Sequence, residues 1–335
     1  MLHLQRCQES TPTYCRESAS LMGNRYLLAG AAALVAHLPH AHIEEEFTYR
    51  GMCDASAAAA LDAHHFVVAN DERNQLKVYT RGTADPVHIV DLAPFLGTKP
   101  DKESDLEGAA TIGSRIYWIS SHGRNSKGKE QTRRYRFFAT DALRRAPWLT
   151  PAGQPYSGML DDLINAPQLA KYKLAEAASR NPELEGAFNI EGLAATPQGE
   201  LLVGMRNPAP HGKALVVQMV NPDEVISGKK ARFGMVFELD LGGRAVRSME
   251  LVGLAYMIVA GPTGNDGDFA IYRWSGDPAE QPLELSHVKF DTTRPEALFA
   301  IPGTHMVQVL SDDGGKHCKE IPEEQQAFRS IVVRL

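Results

Sequence analysis

The sequence holds only four cysteines, Cys7, Cys15, Cys53 and Cys318, and no two of them form a CxxC pair. A zinc knuckle or a thioredoxin-type redox centre therefore has no ligands to stand on, and the cysteines read as structural free thiols. No apolar run reaches the roughly 18 residues that a membrane span needs. A basic excess is also missing: the net charge is −6, whereas nucleic acid and polybasic membrane contacts need a positive face. The stretch Gly123-Arg124-Asn125-Ser126-Lys127-Gly128-Lys129-Glu130 nearly spells a phosphate-binding loop. Glu130 replaces the hydroxyl residue that would hold magnesium, and a strand pattern follows instead of a helix. It reads as a plain loop. No GxSxG nucleophile elbow occurs.

What is present is enough apolar sequence, 43% of 335 residues, to fill a sizeable core. Residues 1–21 are polar and aperiodic, and read as an extension ahead of a natural start at Met22. Arg25 then precedes eleven apolar or small residues, Tyr26 to Ala36. A positive residue followed by such a run is signal-peptide arithmetic, so 22–42 is expected to direct export to the periplasm or the exterior. A buried N-terminal helix is the alternative and would leave the protein in the cytoplasm. His37, His40 and His42 flank the expected cleavage site, and their spacing reads as incidental.

The informative feature is an internal repeat. An acid followed by small residues and a short apolar strand recurs at Asp54-Ala55-Ser56-Ala57, Glu107-Gly108-Ala109-Ala110, Glu191-Gly192-Leu193-Ala194 and Glu296-Ala297-Leu298-Phe299. Arg247-Ser248-Met249-Glu250 is a fifth copy with a base in place of the acid. Apart from one long interval the period is about 50 residues, which suits the blades of a propeller. Each marker leads into further β-rich segments separated by turn signals such as Thr196-Pro197-Gln198-Gly199. The expected fold is all-β: a β-propeller of five blades over 43–335, six remaining open if 141–188 hides another. The last repeat is one strand short, so Glu46–Arg50 is expected to close the ring against Ser330–Leu335, since an open stack would leave exposed edges. Within the long interval, Leu160, Leu163 and Ile164 follow helical spacing. A helical insertion at about 151–187 is expected, packed over or beside the channel mouth as a lid or pocket wall.

In a blade the second strand returns to the face where the first began. The markers and the second-strand ends are therefore expected on one face: Asp54, Glu107, Glu191, Arg247 and Glu296 inside, with Asp71, His122, Arg124, Asn125, Arg206 and Asn207 around them. Four acids near one axis repel unless cations offset them. Arginines, His122 or a bound divalent cation such as calcium are the candidates for that role, and an ion-paired structural cluster is the alternative to a ligand site. Asn265-Asp266-Gly267-Asp268 and Asp312-Asp313-Gly314 are oxygen-rich, and read as turns in preference to calcium loops.

At these residues the chain resembles a known family. Gly51 to Ser56, Ala69 to Asn74, Asp105 to Gly108, Ser121 to Asn125, Asn189 to Leu193 and Gly204 to Pro208 are similar to the bacterial family called domain of unknown function 3616. The resemblance runs from about residue 46 to the end. Glu191-Gly192-Leu193 is also similar to the esterase-like phytase group of propellers. The resemblance implies the propeller fold and brings no settled activity.

The functional expectation is an exported, monomeric propeller that binds a small anionic or polar ligand at the mouth. Metal-assisted ester or phosphoester hydrolysis is its catalytic version. There Glu107, Glu191 and Glu296 would hold the cation or act as general base, while Arg206, Arg247 and His122 hold an anionic group. A non-enzymatic module for a protein partner is the alternative.

Overall fold

The computed structural model describes residues 41–335 except 71, 100, 101, 183, 316, 317 and 319. The signal-peptide segment, His37, His40 and the expected site residue Asp71 thus lie outside the described residues.

Five four-stranded antiparallel sheets make up the fold. Blade one holds Ala55–Ala60, His65–Asn70, Gln75–Thr80 and His88–Asp91. Blade two holds Leu106–Ile112, Arg115–Ser120, Phe137–Ala142 and Leu149–Tyr156. Blade three holds Asn189–Ala195, Leu201–Asn207, Ala214–Met219 and Phe233–Leu239. Blade four holds Ala245–Val252, Ala255–Gly261, Ala270–Trp274 and Leu283–Glu284. Blade five takes three strands from the end of the chain, Pro295–Ala300, Met306–Ser311 and Ala327–Arg334. Its outermost strand is His42–Arg50, paired antiparallel from His42 opposite Arg334 to Arg50 opposite Ala327. The ring closes as the repeat predicts, and the described residues of 141–188 hold no sixth blade.

Packing explains why the sequence reads as it does. A blade has two apolar faces and can bury them only against its neighbours. The core accordingly divides into clusters between adjacent blades, such as Trp118 and Phe138 between one and two, or Phe237 and Trp274 between three and four. Second strands are buried on both faces, so Phe66, Val67, Val68 and Ala69 form a continuous apolar run without alternation. Inner strands meet near the axis and must be slim. A Cβ on Gly192 would lie 2.4 Å from Cγ1 of Val246 in the next blade. That close approach is why small residues follow each marker acid.

The seam between blades five and one is fastened three times. The closing strand is the first fastening. A cluster of Tyr49, Phe66, Tyr79, Phe299 and Phe328 is the second, with Tyr49 and Phe66 ring centroids 5.1 Å apart. The third is a disulfide between Cys53 and Cys318, whose Cα atoms are 6.2 Å apart. This corrects the free-thiol expectation for these two residues: 265 positions separate them in sequence, and only ring closure brings them together.

The insertion begins later than expected, because Leu149–Tyr156 is the fourth strand of blade two. It contains the helix Met159–Asn165 and short turns of helix at Pro167–Tyr172 and Leu174–Ala178. These helices do not cover the mouth. Met159, Leu163, Leu169 and Leu174 join the core between blades two and three. Gln168 donates to the Phe233 carbonyl, and Lys171 pairs with Glu238 at 2.8 Å, both on the outermost strand of blade three. The helix's apolar stripe packs on the apolar residues between the blades, where burial removes it from water. The last helical turn and the returning segment reach the face of the mouth: the Ala178 carbonyl accepts from Arg124, Asn181 donates to Ser126 and the Pro182 carbonyl accepts from Asn207.

Candidate functional site

Every inner strand carries a β-bulge at the same register. Pairing skips Ser56 between Ala55 and Ala57, Glu107 between Leu106 and Gly108, and Glu191 between Ile190 and Gly192. It also skips Arg247 between Val246 and Ser248, and Glu296 between Pro295 and Ala297. A bulge leaves one residue out of the ladder and re-aims its side chain. Repeated five times around an axis, it turns five side chains into a ring. The blade-one member is Ser56 and not Asp54, which corrects the expected inner ring. Asp54 stands two residues before its bulge, the position that Asp105 holds in blade two.

Arg247 is the hub of this ring. Its Nε lies 2.7 Å from Glu191 Oε2, and its other arm donates to Glu296 Oε1. Glu191 Oε1 accepts from Arg206 at 2.8 Å and from Asn189 at 3.2 Å. Arg206 also donates to the carbonyls of Thr263 and Gly264, at 3.2 and 2.5 Å. Asn207, buried beside it, donates to the same Thr263 carbonyl at 2.9 Å. Arg247 is 5% exposed and Glu191 3%. Charges so deep must be paired, and the neighbouring glutamates hold the arginine charged. Glu107 faces the same arginine at longer range and is half-buried, like Glu296.

The acids that remain pay for their burial with protons. Burial first, then the nearby Asp312 and Glu191, push the Glu296 carboxyl up to about 7 against the pull of Arg247. Burial and Asp54 push Asp312 up to about 6. Asp54 itself is wedged against the loop that follows the second strand of blade five. A Cβ on Gly314 would fall 1.6 Å from its Oδ1, so only glycine fits there. Asp313 is drawn away to Arg329, which it meets at 2.5 Å.

A second cluster at the end of blade two went unread in the sequence. Asp105 sits in the left-handed region at φ 57° and is buried. It accepts from the Ser121 hydroxyl and, at 2.9 Å, from Arg134. Burial raises its carboxyl above the usual range. Glu103 completes the cluster with Arg133 and Arg134, at 2.9 and 3.1 Å. Asp105 was visible in the Asp-Leu-Glu-Gly motif, but Arg134 comes from a loop with no pattern to flag it.

His122 is buried, with φ 55°. Its Nδ1 lies 2.8 Å from the Ser120 carbonyl, and its ring stacks on Tyr135 with centroids 5.8 Å apart. Burial pushes its pKa down to about 4, so it is neutral at pH 7 and offers the ring no positive charge. Arg124 and Asn125 also stand apart from the ring. Arg124 donates to Ala178 of the insertion at 2.9 Å. Asn125 Oδ1 accepts from the backbone of Lys127 and Lys129, at 3.1 and 2.9 Å, and closes the loop on itself.

Deeper in the channel, two side chains of blade four serve the free edge of blade five. Ser248 Oγ accepts from the Leu298 N–H at 3.0 Å. Glu250 accepts from the Ala300 N–H, and burial pushes its carboxyl up to about 8.

Among the described residues no group of three or more His, Cys, Asp or Glu is placed to hold a metal ion. At the expected cation site of Glu107, Glu191 and Glu296, arginine is the cation that the glutamates meet. Glu191 gives its oxygens to two arginines, and Glu296 gives one of its own to Arg247. No described helix is long and apolar enough to cross a membrane.

The family described as protein of unknown function (DUF3616) matches residues 139–308. No curated protein matches the sequence. Among solved structures the chain is similar to a glutaminyl cyclase of Myxococcus xanthus, at 13% identity and a TM-score of 0.46, over 88% of this chain and 95% of that one. It is similar to the PQQ-bound aldose sugar dehydrogenase of Streptomyces coelicolor at 11% identity and a TM-score of 0.44, over 87% and 98%. A luciferin-regenerating enzyme matches at 8% identity and a TM-score of 0.42, over 87% and 96%.

Proposed function

We propose a function from the premise that the chain belongs to the family of proteins of unknown function DUF3616: it is an exported binding propeller that holds a small polar ligand at the mouth ring. The ligand's hydrogen-donating or cationic head lies against Ser56, between Glu296 of one neighbouring blade and Glu107 of the other. The observation that carries this reading is Ser56. It occupies the bulge position that the other blades give to charged residues and is 1% exposed. Its hydroxyl has no hydrogen-bond partner among the described residues. A buried hydroxyl left unpaired costs roughly 1–3 kcal/mol, a cost that a ligand group supplying the partner removes.

The charge balance selects the kind of ligand. Arg206 and Arg247 are occupied by Glu191 and Glu296. An anion at the ring would meet carboxylates before it met an unoccupied guanidinium. An amine or a polyhydroxylated compound suits the Ser56 side better than the anionic group expected at Arg206, Arg247 and His122. The disulfide supports export, since such bridges persist in oxidising compartments.

A hydrolytic reading keeps one foothold. A carboxyl near pH 7 is suited to move a proton as general acid or base, and Glu296 is the group so placed.

A thermal-shift screen of amines and polyols, run with calcium and with a chelator, tests the binding reading. A compound should raise the wild-type melting temperature independently of calcium and lose at least tenfold in affinity with Ser56→Ala. If no such compound raises it, or if Ser56→Ala binds as well as wild type, the reading fails. Ester turnover abolished by Glu296→Gln would favour the hydrolytic version.

A further inference from the structure

Where an arginine ends tells what it lacks. Arg115, Arg134, Arg206 and Arg247 all end on carboxylates. Arg124 and Arg136 end on backbone carbonyls alone. Arg124 donates to Ala178 and Gly128, at 2.9 and 3.2 Å. Arg136 donates to Leu96, Thr132 and Tyr135, at 3.3, 3.0 and 2.9 Å. The second terminal nitrogen of each, Nη2, has no partner among the described residues.

Both guanidinium groups are partly withdrawn from water, and both line one groove of about 540 Å³ between blade two and the insertion. The hydroxyl residues Ser157 and Ser179 line it as well, and the Tyr135 ring gives it a flat wall. That ring is backed by the stacked His122 imidazole. Burial without a counter-ion lowers the pKa of Arg136 from its ordinary value. Each idle Nη2 still carries two N–H donors on a charged guanidinium, which suits a carboxylate or phosphate oxygen.

The geometry points to this groove as a binding site for a small organic anion, a carboxylate or a phosphate ester, held between Arg124 and Arg136 with the hydroxyl of Ser157; the Ser179 hydroxyl already donates to the Glu176 carbonyl at 2.7 Å. The site is distinct from the mouth ring, where every arginine already has its carboxylate. It also differs in shape, since the insertion forms one wall and blade two the other. Glu130 and Asp161 are exposed members of the groove lining and set its affinity. Their negative charge opposes an incoming anion.

Isothermal titration of the full chain with inorganic phosphate and with citrate, at low and at physiological salt, tests this. Saturable binding that weakens with salt is expected, and the tighter of the two probes tells whether phosphate or carboxylate is the preferred group. Arg136→Gln should weaken it at least tenfold. The double variant Glu130→Gln with Asp161→Asn changes only exposed side chains and should strengthen binding several-fold. Absence of saturable binding by either probe overturns the assignment, as does wild-type affinity in Arg136→Gln. If Arg136→Gln does not fold, the double variant decides alone, and unchanged affinity there overturns it.

Discussion

The mouth ring and the groove beside the insertion both contain arginine, and they use it in opposite ways. At the ring, Arg247 is 5% exposed and meets two glutamates from the adjoining blades. In the groove, Arg136 meets only carbonyls and faces open space. The first arrangement ties blades together and leaves an arginine nothing further to bind. The second leaves the charge available. An arginine's meaning is thus set by its partner, not by its presence on one face of the fold.

The sharpest way to break this comparison is to remove the hub. Arg247→Met leaves Glu296 without its cation and Glu191 with Arg206 alone, and loss of one partner from a buried pair costs about 3–5 kcal/mol. Urea denaturation should show a loss of that size, against about 1–2 kcal/mol for Arg136→Met, which loses only hydrogen bonds to carbonyls. Equal losses would mean that the ring is no more structural than the groove.

The disulfide comes next. Cys53→Ser with Cys318→Ser should cost about 2–4 kcal/mol, because the bridge fastens the seam where the ring closes. Reductant should lower the wild-type melting temperature and leave that of the double variant where it was. A wild-type melting temperature indifferent to reductant would show that the closing strand and the aromatic cluster hold the seam unaided.

The dependence on pH sharpens the comparison last, and its sign separates the ring from His122. Glu296 is raised from 4.5 to about 7 in the fold, so the folded state binds its proton more readily than the unfolded chain does. Its contribution to stability is full below pH 4.5 and is lost as pH rises through 7. Asp312 acts in the same direction between its ordinary value and about 6. His122 is lowered from 6.5 to about 4, so its contribution is present above pH 6.5 and is lost as pH falls through 4. Glu296→Gln should flatten the loss on the alkaline side of this window, and His122→Asn the loss on the acid side. Unchanged slopes in either variant would show that its group is not held as described.

The repeat made the fold legible, since blades must bury two faces and therefore repeat their apolar pattern. The short last repeat announced the closing strand for the same reason. Most members of the ring were legible too, because Glu107, Glu191, Arg247 and Glu296 stand directly before small residues that close packing requires. Ser56 was hidden. Asp54 stands nearby and has the right chemistry, but only the bulge register shows that the chain presents the serine to the ring.

By itself, then, the sequence determined the all-β propeller, its ring closure and the belt of charged markers, for these follow from local periodicity and from side-chain size near an axis. Only the tertiary structure decided which arginine meets which carboxylate, that Cys53 meets Cys318, and that the insertion's helices pack against blades two and three. Those outcomes depend on contacts between residues far apart in the chain. Their energy comes from burial and ion pairing across blades, and no short stretch of sequence carries it.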